Sequence, residues 1–531
     1  MKMNYLFFVL VLFSCMAGAK GETYIVMNGS DSGDLSLRHF IEISGPYDTI
    51  LFSADVDTVT LTSDELKIEQ PLCILGNENK TVIRRDPAAG TPDFRIFRLV
   101  NSGVVYFKNL VICNGKSICI GGVYPQPGGG IQINDTLSYL YIDHCILHSN
   151  LAASGPDLGY SASYPAPPGA SGGAIANYGH LEIKNSDIYN NSAGTGGRKT
   201  IVKSDNSMYD CFPSNGGSGG GIWSGHYLKI ENCKLTGNSS GYGGFCPDPL
   251  NPGSGWWAAG GSGGALCIIS GSSTSIINSI ISGNKVRYGT PAGSGGGILS
   301  AGNLDILSST ITRNYSMSPN ETGGGMKLNN AVTSVRNSII FGNYLQVSTN
   351  LSDVSVYDGS YIFSHSLVGK PVGFEITDTT NLIGEDPSFI SIDDLRLAFN
   401  SPCINTGDPD TTGLPPIDLA GMPKVVENRV DMGAYEFQGY SWDHKNSANP
   451  EIFIYPNPCT DKITIFIPEY LKNSVLEVHL IDVAGQVLSG YSIAKGSSSF
   501  CISLPASLPK GIYYLEAHTS DHISAHKIIK L

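Results

Sequence analysis

The chain has 531 residues, 46 acidic against 33 basic side chains and a net charge of −13, a balance that argues against nucleic acid as a partner. The length exceeds that of one ordinary domain, although a repeat array escapes this limit because each unit packs only on its neighbours. Sixty-four glycines, 26 tyrosines and no long run of helix formers point to a β-rich, turn-dense protein.

At the N-terminus, Lys2, the apolar run over residues 5–13 and Ala17-Gly18-Ala19 form the charge, core and small-residue pattern of a secretory signal. Residues 1–19 are the expected signal peptide, with cleavage after Ala19. Cys15 is a rival site for lipid attachment, but the bulky Phe13 fits a lipoprotein box poorly. No later segment approaches the roughly 18 apolar residues that cross a bilayer, so the mature chain reads as exported and soluble.

Residues 22–118 read as an N-terminal cap with the first coils of a stack. Within them, residues 34–44 form the one plausible amphipathic helix, with Leu35, Leu37, Phe40, Ile41 and Ser44 near one face. Such a helix would block the exposed edge of the first coil. Strand-like runs follow at residues 49–52, 58–61, 66–68, 72–75, 94–100 and 104–107.

Two signatures then alternate through residues 119–380. The first is a glycine cluster followed by an apolar residue, as in Gly128-Gly129-Gly130-Ile131 and Gly172-Gly173-Ala174-Ile175, and again at Gly219, Gly263, Gly295 and Gly323. The second reads apolar-x-x-Asn and ends at Asn150, Asn191, Asn238, Asn284, Asn314 and Asn343, with residues 109–114 as a degenerate earlier copy. Between the signatures lie aligned apolar positions (Ile142, Ile183, Ile230, Ile276, Ile306, Val335) and, three residues on, a small-residue column of Cys145, Ser186, Cys233, Ser279, Ser309 and Ser338. Alternation of apolar positions implies strands with one buried face, and a recurring unit implies stacked coils about 4.8 Å apart. A ladder Asn suits a turn, where it tolerates a left-handed backbone and bonds to the next coil, while the glycines allow close approach or positive φ. Both columns are structural on this reading.

The intervals between units carry more information about function. Residues 151–171, 192–218 and 239–262 are long, share one phase of the repeat, and would emerge as neighbours along one edge. They carry Tyr160, Tyr164, Tyr209, Tyr242, Phe245, Trp256 and Trp257 among charged residues such as Arg198, Lys199 and Asp248. Aromatic rings beside hydrogen-bonding groups suit the C–H faces of sugars; equally, the rings could pack the loops onto the scaffold.

Residues 381–437 change to turn-rich segments suited to closing the open end of the stack, and residues 438–450 read as a linker. The last segment, residues 451–531, shows seven short alternating runs with turns at Pro456-Asn457-Pro458 and Ala484-Gly485, the pattern of a sandwich. Twelve cysteines lack paired C-x-x-C clusters and read chiefly as small buried packing residues, although disulfides suit an exported chain.

These motifs carry three resemblances. The paired signatures resemble the repeats of polymorphic outer-membrane proteins and related members of the pectate-lyase-like superfamily, which implies a right-handed parallel β-helix followed here by a small C-terminal β-sandwich. Ser401-Pro402 with Asn405-Thr406-Gly407-Asp408, and residues 430–436, resemble the end of the choice-of-anchor Q family. Tyr455-Pro456-Asn457-Pro458, Asp482-Val483-Ala484-Gly485-Gln486-Val487, Leu508-Pro509-Lys510-Gly511-Ile512-Tyr513-Tyr514 and Lys527-Ile528-Ile529-Lys530-Leu531 are similar to the C-terminal sorting domain of the Bacteroidota type IX (Por) secretion system. That likeness implies Sec export, passage through the outer membrane by the type IX machinery acting on residues 451–531, and release or surface attachment.

Relatives of the β-helix often cleave acidic glycans. Lyase chemistry needs a base and Ca²⁺ or basic groups for the uronate, and hydrolysis needs two placed carboxylates. The outward column Asp143, Lys184, Glu231, Ile277, Leu307 and Arg336 is mixed with apolar gaps, and His144 and His148 have no evident carboxylate pair. No catalytic residues and no cofactor are therefore assigned, with Ca²⁺ entering only if the chain is a lyase. The expectation is a secreted or surface-displayed β-helix that binds polysaccharide or another surface through its aromatic loops. A polysaccharide lyase or glycoside hydrolase is the alternative, and a structural adhesin or spacer the second.

Overall fold

The computed structural model describes residues 21–158, 165–202, 209–248, 254–317, 323–345, 350–426, 429–438, 453–455, 459–467, 476–483, 485–497, 499–505, 507–518 and 523–531. The expected signal peptide and most of the expected linker lie outside them. Two compact units result, the first holding a solenoid and ending at Tyr435, the second holding the C-terminal module.

The solenoid is a parallel β-helix with one sheet of 19 strands and another of 11. In the coil that begins at Gly172, Ile175–Asn177 and His180–Lys184 run in the long sheet and Asp187–Tyr189 in the second. Neighbouring coils pair in register, so Ile183 stands between Ile142 and Ile230, and Ile188 between Leu147 and Leu235. These six side chains are at most 1% exposed. Each such isoleucine or leucine contributes roughly 2 kcal/mol by leaving water.

Each of the six repeat coils turns at three left-handed corners. The first glycine of each cluster supplies one, with φ of +65° to +74° at Gly128, Gly172, Gly219, Gly263, Gly295 and Gly323. A second lies at His144, Asn185, Asn232, Asn278, Ser308 and Asn337, and a third at Ser149, Asn190, Gly237, Gly283, Arg313 and Gly342. The third column corrects the expectation for the ladder asparagines. The left-handed residue is the one before each ladder Asn, and Asn150 and its equivalents are free to use their side chains alone. The register also pairs His148 with Cys113, so the degenerate copy ends on Gly115 and Asn114 occupies the corner.

The asparagine column is a saturated hydrogen-bond ladder. Asn191 Oδ1 accepts from the backbone N–H and the Nδ2 of Asn150, both at 3.0 Å, while its own Nδ2 donates to Leu147 O and to Asn238 Oδ1, again at 3.0 Å. An amide offers two donors and two acceptor sites, and all are filled here. The pattern repeats through Asn238, Asn284 and Asn314 to Asn343. It ends at Asp353, whose Oδ1 accepts from Asn343 N and Nδ2 at 2.8 and 2.7 Å and whose Oδ2 accepts from Lys370 N at 2.8 Å. Burial pushes the Asp353 carboxyl up to about 6, against the opposing pull of these donors.

The small-residue column forms a parallel ladder. Ser186, Ser279, Ser309 and Ser338 accept the backbone N–H of Cys145, Cys233, Ser279 and Ser309 at 3.0 to 3.1 Å. Cys145 and Cys233 are buried packing residues, as expected, and burial pushes both thiols up to about 12.

At the N-terminal end the helix spans Leu37–Ile43, capped by Ser36, with Leu37, Phe40 and Ile41 buried. Leu35 is not on it. That residue has φ of +60° and is 44% exposed, because the capping serine must precede the first turn. Phe40 stacks on Tyr24 at 5.0 Å, so the helix covers the first coil. Strands Thr23–Val26 and Thr81–Arg85 were not expected from the sequence.

Residues 385–395 and 401–435 correct another expectation. Their described members, which leave out 427 and 428, run along the second sheet and do not close the end of the stack. Leu395 and Ala434 pack with Ile280, Thr310 Oγ1 accepts from Ala434 N at 3.0 Å, and Asn337 Oδ1 accepts from Asp408 N at 2.6 Å. Leu307 and Ile339, apolar at outward positions, are 6% and 1% exposed, with Gly413 and Gly433 against them. The apolar gap at Leu307 is thus a docking site for this strap. Phe374 and Ile376 instead pack against the last core residues, where Phe374 meets Tyr361 at 4.8 Å.

The C-terminal unit has seven strands among its described residues. Phe453–Tyr455, Lys462–Phe466 and Ser499–Ser503 form one antiparallel sheet. Leu476–Ile481, Val487–Ile493, Gly511–His518 and Ile523–Lys530 form the other. Ile463, Ile465, Val478, Leu480, Ile502, Leu515 and Ile528 fill one core between them. The turn residues 456–458 and 484 lie outside the described residues.

Candidate functional site: the loop edge

The three long loops leave the solenoid just after Asn150, Asn191 and Asn238, and their first residues bridge in a column through Leu151, Ser192, Ser239 and Lys285. Lys116 opens the same column. Residues 116–127 are therefore a fourth loop of this edge, carrying the hairpin Cys119–Ile120 with Tyr124–Pro125. Assigning residues up to 118 to the cap concealed it.

The loop roots are joined by bare backbone. Gly194 N donates to Ala170 O, Gly217 N to Gly194 O and Gly241 N to Gly217 O, each at 2.8 Å, and Gly261 N to Gly241 O at 3.0 Å. Outgoing and returning legs thus alternate. Legs of successive loops also bond to each other, Gly196 N to Tyr242 O at 2.8 Å and Gly216 N to Ala259 O at 2.9 Å. A Cβ at Gly194 would sit 1.9 Å from Ala153 O, and one at Gly241 1.8 Å from Gly194 O. Real contacts never approach so closely, so only glycine fits.

On these roots stand two hairpins, Arg198–Val202 with Tyr209–Pro213, and Phe245–Pro247 with Gly255–Trp257. A disulfide between Cys211 and Cys246 joins them, the alternative left open for an exported chain beside the packing role. Arg198 reinforces the junction, donating to Phe245 O at 3.3 Å and pairing with Asp157 at 3.0 Å.

The seven aromatic residues named from the sequence divide. Tyr160 and Tyr164 lie outside the described residues, and for Tyr209 only the backbone strand is described. Tyr242, Phe245 and Trp257 pack among themselves and on Tyr288, with Trp257 4.6 Å from Phe245 and edge-on to Tyr288 at 5.3 Å. Arg287 lies 4.9 Å over Tyr242 and donates to its hydroxyl at 2.8 Å. Trp256 is different. It is 45% exposed, and its Nε1 donates to Cys211 O at 3.3 Å. Phe212, which the sequence reading passed over, is 53% exposed on the neighbouring hairpin, and Ile120 and Tyr124 are exposed on the first loop. Its position beside Cys211 was the available signal.

In the outward column of the long sheet Lys184 pairs with Glu231 of the next coil at 3.4 Å, with Lys229 nearer at 2.9 Å. Lys229 and Lys184 hold the Glu231 carboxyl below the usual range despite its burial. His144 pairs with Asp143 at 2.7 Å, and His148 stacks on Tyr189 at 5.0 Å. The structure thus places neither histidine at the loop aromatics. Among the described residues no group of three or more His, Cys, Asp or Glu is placed to hold a metal ion. Two shallow clefts lie where the strap meets the second sheet, one lined by Tyr189, Thr236, Arg313 and Asp393, the other by Asp187, Lys234 and Asp418.

No curated protein matches the chain. Residues 453–531 match the family model of the secretion system C-terminal sorting domain, and they coincide with the seven-stranded unit. The chain therefore carries the tail that marks proteins exported by the type IX system to the cell surface or beyond it.

Proposed function

We propose that this chain is an exported, rigid β-helix whose loop edge binds glycan, with the sandwich serving export through the type IX machinery. The observation that carries the reading is the pairing of exposed rings with an immobile base. Trp256 and Phe212 stand on hairpins cross-linked by Cys211–Cys246, above roots in which backbone bonds to backbone in two directions. Aromatic rings fixed in advance bind at low entropic cost, since little freedom is lost on contact. Tyr242, Phe245 and Trp257 act as the prop beneath and beside them.

Retention of the mature protein on a panel of immobilised polysaccharides tests this reading. Binding to at least one glycan is expected, weakened by Trp256→Ala. Retention on none of them would remove the glycan assignment and leave the adhesin or spacer reading. Unsaturated products from uronate-rich chains incubated with Ca²⁺ would replace binding by lyase activity.

A further inference from the structure

We infer that the loop edge takes neutral polysaccharide, held by a pyranose C–H face against the ring of Trp256, in preference to uronate or sulfated chains. The inference rests on the glycan reading above and names its ligand class. An indole has a single donor, and that of Trp256 is engaged by Cys211 O. The side chain is therefore pinned by its polar edge and offers an exposed apolar face. Cys246 and Trp256 are cross-strand partners, so the disulfide fixes the strand position opposite the ring.

An acidic sugar asks for something else, a guanidinium or ammonium free to face its carboxylate or sulfate. The arginines of this edge are occupied. Arg198 is spent on Phe245 O and Asp157, and Arg287 on the hydroxyl and ring of Tyr242. Among the described residues of this edge Lys199 lies across its hairpin from Phe212, Lys116 is paired with Asp93, and Lys285 stands at a loop root; scattered surface ammoniums of this kind hold a polyanion weakly in salt. Asp157 adds a carboxylate that a polyanion would meet unfavourably. The four aromatic residues Tyr242, Phe245, Trp257 and Tyr288 face one another, which leaves Trp256 as their solvent-facing partner on the same loop.

The test uses the full mature chain on insoluble xylan, cellulose and chitin and on immobilised pectate, alginate and chondroitin sulfate, each in about 0.05 M and about 0.5 M NaCl. Expected is retention on a neutral chain that is unchanged by salt, an about tenfold loss in affinity for Trp256→Ala, and a smaller loss for Trp256→Phe. Thermal unfolding of both variants should fall only slightly below the parent, since the half-exposed ring gives up one hydrogen bond and part of its packing at the loop edge and leaves the solenoid core untouched. Retention confined to the acidic chains and abolished by salt would overturn the neutral class while leaving glycan binding intact. Neutral binding indifferent to Trp256→Ala would overturn the role of that ring. Retention on no chain would overturn the parent reading as well.

Discussion

At Asn150, Asn191, Asn238, Asn284, Asn314 and Asn343 successive coils are joined by side chains; at the loop roots, on the outgoing legs at Gly194 and Gly241 and the returning legs at Gly217 and Gly261, they are joined by backbone with no side chain at all. The two regions meet the same demand, which is to satisfy buried polar groups at a corner where no regular strand continues. The asparagine corner does so with one amide per coil, whatever the length of the loop that follows. The glycine roots do so only when outgoing and returning legs interleave, so each loop is locked to its neighbours. A side-chain ladder tolerates variation above it, and a backbone lattice fixes what stands on it.

Asn238→Ala should break this comparison most severely. It removes four hydrogen bonds and strands the buried backbone N–H of Asn191, whose Nδ2 keeps Leu147 O and Tyr189 O as acceptors. A loss of about 4 kcal/mol is expected from the orphaned N–H, the lost donations to Ile188 O and Asn284 Oδ1 and the missing contacts, read as a lower denaturant midpoint. Gly241→Ala follows at about 3 kcal/mol, because its Cβ would overlap Gly194 O and the backbone must shift. Here the distinguishing readout is local: hairpin proteolysis and hydrogen exchange in loop residues 192–218 and 239–262 should rise more than in the asparagine column. Uniform loosening of both regions would show that the roots are not a separate lattice.

The C-terminal end of the ladder offers a pH test. The Asp353 carboxyl is raised to about 6, above its value near 3.9 in an unfolded chain. Protonation is therefore favoured by folding, and the stability it brings is fully present below about pH 4 and is lost as pH rises through about 6. Relative to Asp353→Asn, which cannot titrate, the parent should lose on the order of 2 kcal/mol between pH 4 and pH 7. A difference independent of pH would show that the carboxyl titrates normally. The smallest effect is expected for Ser149→Gly, where φ is +55°. It should stabilise by about 0.5 kcal/mol, since the left-handed corner favours glycine. The same exchange at Asn150 should cost several times more, which separates the corner from the rung.

Much of the solenoid was legible because its signals are periodic. The phase of Asn, of the apolar pairs and of the glycine triplets fixed the register later found between Ile142, Ile183 and Ile230. What escaped depends on contacts far apart in the chain. Nothing local to Leu307 or Ile339 says that residues 401–435 will return to cover them, and an apolar residue at an outward position was the only trace. Phase alone also cannot separate a corner from the rung beside it, hence the shift from Asn114 to Gly115. At the loop edge the sequence supplied the rings but not their division. Trp256 and Trp257 are adjacent, and only the alternation of a hairpin strand sends one toward solvent and the other into Tyr288.

The asparagine column also has a direction. From amide to amide, every rung accepts from the coil before it and donates to the coil after it, so the last rung presents donors and needs a partner that accepts. Asp353, as a carboxylate, is such a terminator. As far as this column is concerned, coils can accordingly be duplicated or deleted before those on which the strap docks without disturbing the terminus, while an added coil beyond Asp353 would begin a new column. The array is thus open to growth by tandem repetition from within and closed at its end, which makes the number of loops on the edge a quantity free to change while the scaffold stays the same.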